Sequence, residues 1–291
     1  MPPLIIDSHV HLFPDNFFKA IRRWFDTYAW NIRYRISAEE CISQLHAAGI
    51  ARATCYTYAH KPGVASYLNE WSYQLRQAHK ELIVFGAVHP DDDNLRNLLK
   101  NIFETYRFAG IKLHCHVLAR APDDESFFPI YESVCRYDRV LTIHAGTGPS
   151  LPGYAAFTAQ FSGTDRIYNF MKRYPDMKCI IPHFGADDSD GLFDLMGTFK
   201  NLWTDNTMAL SGYFPGTVPV DRIRQYQDRI LYGSDFPNIP YDMMTEINAI
   251  KALNLGKEAE DKILFKNALR LFGEAPDAGQ DTAGRIKGSP I

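Results

Sequence analysis

The chain of 291 residues is 46% hydrophobic with a formal net charge of −3, so it has apolar side chains enough for one large core. A nearly balanced charge lacks the basic excess on which phosphate-backbone binding depends, and nucleic acid is not an expected partner. No apolar run approaches the roughly 20 residues of a membrane span, which removes the bilayer as a partner and leaves small-molecule chemistry.

The N-terminus MPPLIIDSHV leads straight into an apolar run without the basic and apolar regions of a signal peptide, which points to the cytoplasm. Cysteine usage agrees with that compartment. Cys41, Cys55, Cys115, Cys135 and Cys179 are odd in number, widely spaced and form no CxxC, so they read as buried small side chains rather than disulfides or a thiolate zinc site. Only Cys179 has a strand parity that turns it towards a site.

Short apolar, β-rich runs alternate with helical patterns along the whole chain. The predicted strands are Leu4 to His11, Ala51 to Thr57, Leu82 to Val88, Gly110 to His116, Val140 to His144, Lys178 to His183, Asn201 to Asn206 and Arg229 to Asp235. After the first strand comes PDNFFKAIRRWFDTYAWNIRYRI, which makes the connection 12–36 far longer than is usual and rich in aromatics and arginines. It is expected to be a lid or an interface, and a homodimer is compatible with it. Ser37 and Glu40 form a capping box before CISQLHAAG, where Gly49 stops the helix. Tyr174 and Pro175 similarly end the helix DRIYNFMKRY.

About eight βα units in this length predict an α/β fold, a (β/α)8 TIM barrel, for which about 250 residues is typical. An open doubly wound sheet would want a glycine-rich loop after the first strand, and HLFPDNFF has none. No linker divides the chain, so 1–273 reads as a single domain. The polar stretch 274–291 reads as a disordered tail.

Barrels of this kind carry their chemistry at the C-terminal tips of the strands. His9 and His11 lie two apart at the end of the first strand, so their imidazoles share a face, and Asp7 belongs to the same parity. The other tips carry Lys112, His144 in LTIHAG, His183 in IIPHFG and Asp235 in LYGSDFP. Each alone is more often structural. Together, neutral imidazoles and a carboxylate suit one or two divalent transition-metal ions, with Zn²⁺ favoured and Mn²⁺, Fe²⁺ or Co²⁺ usable. Lys112, His114 and His116 share one parity, with Leu113 and Cys115 facing the helices. Tyr58, His60, His89 and Arg120 fall at or just past strand ends, and Arg33 and Arg35 in the first long loop. From these, Tyr58, His114, His116 and Arg120 are the predicted substrate contacts, an arginine being suited to a substrate carboxylate.

With DSHVHLFP, GIKLH, IHAG, PHFG, YGSDFP and KNALRLFG in this order, the chain resembles the amidohydrolase superfamily, and within it the amidohydrolase-related branch of hydrolases and decarboxylases, from Asp7 to Gly273. That resemblance implies that His9, His11, His144 and Asp235 hold a catalytic metal, with His183 a ligand of a second metal or an acid/base. It also implies that Lys112 bridges two metals if carbamylated, whereas mononuclear decarboxylases of the branch generally lack such a bridge. The expected function is hydrolysis of a C–N or C–O bond in an amide, cyclic imide, lactone or ester, by metal-activated water with Asp235 as base. The alternative is nonoxidative decarboxylation of an aromatic or unsaturated acid. A binding protein with a structural zinc is a weaker third reading, because closed zinc sites favour clustered cysteines.

Overall fold

The computed structural model describes residues 4–149, 151–154, 161–214 and 217–273; the predicted tail 274–291 lies outside them. Eight parallel strands follow one another in spatial order: β1 (Ile6–Asp7), β2 (Arg52–Tyr56), β3 (Leu82–Ala87), β4 (Gly110–His114), β5 (Val140–His144), β6 (Lys178–Ile181), β7 (Leu202–Asp205) and β8 (Ile230–Leu231). Helices fill the connections, which makes the architecture a (β/α)8 barrel.

Closure falls to backbone beyond the regular ends of β8 and β1. The Ser8 N–H donates to Tyr232 O, the Asp235 N–H to His9 O and the His11 N–H to Phe236 O, at 2.8, 2.9 and 2.8 Å. These bonds decide the site, because they lay the tip carrying His9 and His11 beside the tip carrying Asp235.

Alternation along the strands separates two apolar layers. Ile6, Tyr56, Ile83, Phe85, Val140, Ile180, Trp203 and Leu231 pack together inside the barrel, against Ala268, Leu269 and Phe272 of the last described helix, Asn267–Phe272. That helix stops the bottom of the barrel and gives KNALRLFG its structural role. Full burial of each such large apolar side chain contributes roughly 1.5–3 kcal/mol. Leu113, Cys115 and Cys179 belong instead to the layer between strands and helices. The expected inward parity of Cys179 is therefore wrong, since its neighbour Ile180 takes the interior position. Cys135 is exposed, another departure from the prediction, while the other four cysteines are buried.

Two predicted boundaries also change. The connection 12–36 contains a 14-residue helix, α1 (Asp15–Tyr28). Strand β4 stops at His114, and His116 sits on a helical turn, Cys115–Leu118, whose start is marked by the His114 side chain accepting from the Val117 N–H. The capping box of α2 (Ala38–Ala47) forms as predicted, with Ser37 Oγ accepting from the Glu40 N–H and Glu40 Oε2 from the Ser37 N–H. Among the described residues no helix is long and apolar enough to cross a membrane.

Behind β7 and β8 lies a buried carboxyl, Glu246, which accepts from Asn206 Nδ2 at 2.8 Å and from the Tyr241 hydroxyl at 3.2 Å. Asn206 Oδ1 in turn accepts the Gly233 N–H. Burial pushes Glu246 up from 4.5 to about 7. A raised carboxyl pKa means that the folded state binds the extra proton, so stability falls as pH rises from about 4.5 to about 7. Glu246→Gln is expected to be more stable than the parent at pH 8, by on the order of 2–3 kcal/mol, with that advantage shrinking towards pH 4.5. Urea unfolding midpoints at both pH values check it; an equal difference at both would show that ionisation of Glu246 is not the cause.

Candidate active site

His9, His11 and Asp235 are buried, and one ligand atom from each lies within 4.8 Å of the others. Asp235 Oδ1 is 3.5 Å from His9 Nε2 and 3.1 Å from His11 Nε2. The backbone of Asp235 holds a left-handed φ of +62°, which a short polar side chain tolerates better than most. Its N–H bond to His9 O and the bond from the Asn238 N–H to its own carbonyl keep it there. Gly233 precedes it because a Cβ would stand 2.3 Å from Thr207 Oγ1 and 2.7 Å from His9 Cβ.

Asp205, at the tip of β7, was not among the predicted site residues and organises much of the site. Its Oδ2 accepts from His9 Nδ1 at 2.8 Å, while Oδ1 accepts the N–H groups of His183 and Thr207 at 2.9 and 3.1 Å. Burial alone would raise its pKa, but His9 and His183 hold it well below the usual carboxylate range. The His9 proton is thus drawn to Nδ1, leaving the lone pair on Nε2 facing Asp235. Burial and the neighbouring Lys112 push the His9 pKa down, and burial does the same for His11 and His144. Neutral imidazoles are the form a metal requires. His9 Nε2 is also a buried atom with no hydrogen-bond partner among the described residues. The donor set therefore fits a divalent transition metal.

His183 follows similar logic. Its Nδ1 lies 2.9 Å from the Thr207 carbonyl, which can only accept, so the neutral ring carries its lone pair on Nε2. That atom is 3.2 Å from His144 Nδ1, and the His144 ring stacks on His114 with centroids 4.0 Å apart. His144 and His183 thus stand beside the three-residue group. For Asp235 itself, burial raises the pKa, but the hydrogen bond and charge of His11, then His9 and His183, bring it below the ordinary value.

The remaining predicted residues divide. Tyr58, His60, His114 and His116 line the cavity above the site, His116 with Nε2 3.0 Å from the Gly146 carbonyl. Arg120 does not: it binds Ser126 Oγ and Asp91 Oδ2, both at 2.6 Å. His89 lies in that same outer cluster, Arg33 pairs with Asp242 and Arg35 with Asp26. Asp7 points away into the β1–β8 seam, where it accepts from the N–H groups of His9 and Ser234 and from the Ser234 hydroxyl. Lys112 is fully buried inside the barrel, with Nζ 4.8 Å from the centre of the Tyr56 ring and, among the described residues, no hydrogen-bond partner. Burial lowers its pKa to about 8. It forms no ion pair with Asp235.

The cavity measures about 760 Å³. Its upper walls are aromatic: Phe17, Trp24 and Phe25 from α1, then Trp30, Tyr154 and Phe214. Nothing in the strand pattern pointed to these residues, whereas Asp205 was within reach of the same strand-tip rule that picked out His144 and His183.

None of the curated proteins matches the chain in sequence. Among solved structures, a 5-carboxyvanillate decarboxylase from Novosphingobium aromaticivorans, determined with manganese and 4-hydroxy-3-methoxy-5-nitrobenzoic acid, aligns with a TM-score of 0.68 at 17% identity, over 93% of this chain and 96% of that one. A 2,6-dihydroxybenzoate decarboxylase from Rhizobium gives 0.69 at 16%, over 93% and 98%. A probable 2-pyrone-4,6-dicarboxylic acid hydrolase from Acinetobacter baumannii gives 0.60 at 18%, over 93% and 99%. At such identities these likenesses concern the fold. In sequence, the profile described as amidohydrolase matches residues 6–273, almost the whole barrel and every strand tip considered above, and the chain belongs to the amidohydrolase family.

Proposed function

We propose that the protein is a metal-dependent nonoxidative decarboxylase of an aromatic acid. Of the two chemistries expected from the sequence, this second one has more support than hydrolysis of a C–N or C–O bond. The observation that carries it is the one group of convergent donors among the described residues, His9, His11 and Asp235, at the floor of an aromatic-walled cavity. Lys112 Nζ lies against the Tyr56 ring, which favours one ion over a carbamate-bridged pair. The decarboxylases of similar fold add weight, as does the manganese in one of them.

His9, His11, His144 and Asp235 would hold the ion, with His183 beside it. A divalent ion held there would supply Lewis-acid chemistry to the substrate carboxylate. The chain's own groups do the rest. Loss of CO₂ leaves the former C–C bonding pair on a ring carbon, and that carbon must take up one proton. Asp235 lines the cavity and relays this proton from solvent. His183 Nε2, 3.2 Å from His144 Nδ1, faces the donor group and is placed to meet a substrate hydroxyl. The aromatic walls hold the ring plane and exclude water from the carbon being protonated.

The test is to load the purified protein with Mn²⁺ and, separately, Zn²⁺, count metal per chain by elemental analysis, and measure CO₂ release from hydroxylated benzoates and naphthoates. About one ion per chain and release of CO₂ are expected. Hydrolysis of lactones or amides, with no CO₂ from any of these acids, would reinstate the hydrolase reading.

A further inference from the structure

We propose that the site selects a large aromatic acid with a single carboxylate, whose ring system extends from the donor group onto the aromatic wall built by α1. The inference rests on the decarboxylase reading for which end of the substrate meets the donors.

Size comes first. Cavities of roughly 300–1,000 Å³ enclose drug-sized ligands, and 760 Å³ lies in the upper part of that range. One benzoate ring would leave much of it filled with water against apolar surface, whereas a fused second ring or an aryl substituent would cover that surface.

The wall is built for such contact. Trp24 packs on Tyr154 with ring centres 5.1 Å apart, and Trp30 packs on Phe25 at 5.1 Å and Phe214 at 5.5 Å. The Trp30 indole N–H donates to the Asn238 carbonyl at 2.8 Å, which fixes its plane. Gly153 lets Trp24 lie close, because a Cβ there would stand 2.7 Å from the indole. Ring faces held in this way offer stacking to a flat ligand at little further ordering cost.

Charge limits the substrate to one carboxylate. Among the described residues no lysine or arginine lines the cavity. Arg120, Arg33 and Arg35 are engaged with Asp91, Asp242 and Asp26. The wall carries a carboxylate of its own, Asp187. The exposed His60 is held below its ordinary pKa by partial desolvation and by Lys61, so it supplies no fixed positive charge. A second substrate carboxylate away from the donor group would be desolvated without a counter-charge and would face Asp187.

The experiment uses the full chain loaded with Mn²⁺ and measures dissociation constants by titration calorimetry for three probes: 1-hydroxy-2-naphthoate, salicylate and 4-hydroxyisophthalate. CO₂ release is followed in parallel. The naphthoate is expected to bind at least about tenfold more tightly than salicylate, and the dicarboxylate more weakly than either. Trp24→Ala should remove most of the naphthoate advantage and leave salicylate binding within about twofold. Ile21→Arg, at a half-buried position on α1 that lines the cavity, should strengthen dicarboxylate binding by about tenfold, and this gain cannot come from misfolding. A naphthoate that binds no better than salicylate, or a dicarboxylate that binds as tightly as the naphthoate, overturns the proposal. If the expected order of affinities appears but no acid loses CO₂, the decarboxylase reading falls and the size and charge selectivity stands.

Discussion

Asp235→Asn is expected to fold normally and lose turnover by roughly two to four orders of magnitude, the usual scale for a missing acid/base group. The amide matches the carboxylate in size and keeps an oxygen for the position 3.1 Å from His11 Nε2, but it cannot take up and release a proton near neutral pH. The backbone bonds that hold position 235, to His9 O and from Asn238 N, do not involve the side chain and should survive. Metal content has to be measured in the same sample, since losing one charged ligand weakens metal binding as well. Rates near those of the parent in metal-loaded Asp235→Asn protein would remove this residue from proton transfer and leave His183 to carry it.

Asp205→Asn is expected to weaken metal retention by about 10- to 100-fold, although among the described residues Asp205 belongs to no convergent donor group. The carboxylate accepts a hydrogen bond from His9 Nδ1 at 2.8 Å and so keeps the Nε2 lone pair facing Asp235. An asparagine must use its oxygen for the N–H groups of His183 and Thr207, which the carboxylate satisfies through Oδ1. Its NH₂ then faces His9 and favours the opposite tautomer, with the proton on Nε2, where a ligand cannot carry one. Competition against a chelator of known affinity, with circular dichroism to verify the fold, measures the effect. Parent-like metal affinity would mean that Asp205 does not set the His9 tautomer.

The sequence by itself determined the barrel and the tips that bear its chemistry, because both signals are local. Strand parity repeats every two residues, so His9 and His11 had to be read together, as did Lys112 and His114. A run of βα units with short connections leaves little choice of architecture. The same locality explains the errors. Parity holds only while a strand stays regular, and it misled for Asp7, which turns into the β1–β8 seam, and for Cys179, whose neighbour Ile180 takes the interior position. His116 kept a place in the cavity although its segment had become a helical turn.

What only the tertiary structure decided is everything that depends on which distant segments meet. Asp235 reaches His9 and His11 because the barrel closes between β8 and β1, across more than two hundred residues of chain. Asp205 orients His9 because closure brings the β7 tip to the β1 tip. The connection 12–36 shows its aromatic content in sequence, but folding it into α1 over the barrel mouth is what turns Phe17, Trp24 and Phe25 into a cavity wall. The arginines near the strand ends looked available for a substrate carboxylate, and Arg120 is instead held by Asp91 and Ser126. Periodicity records which face a residue turns to its own neighbours; the partner across that face is set by long-range packing, which no local pattern encodes.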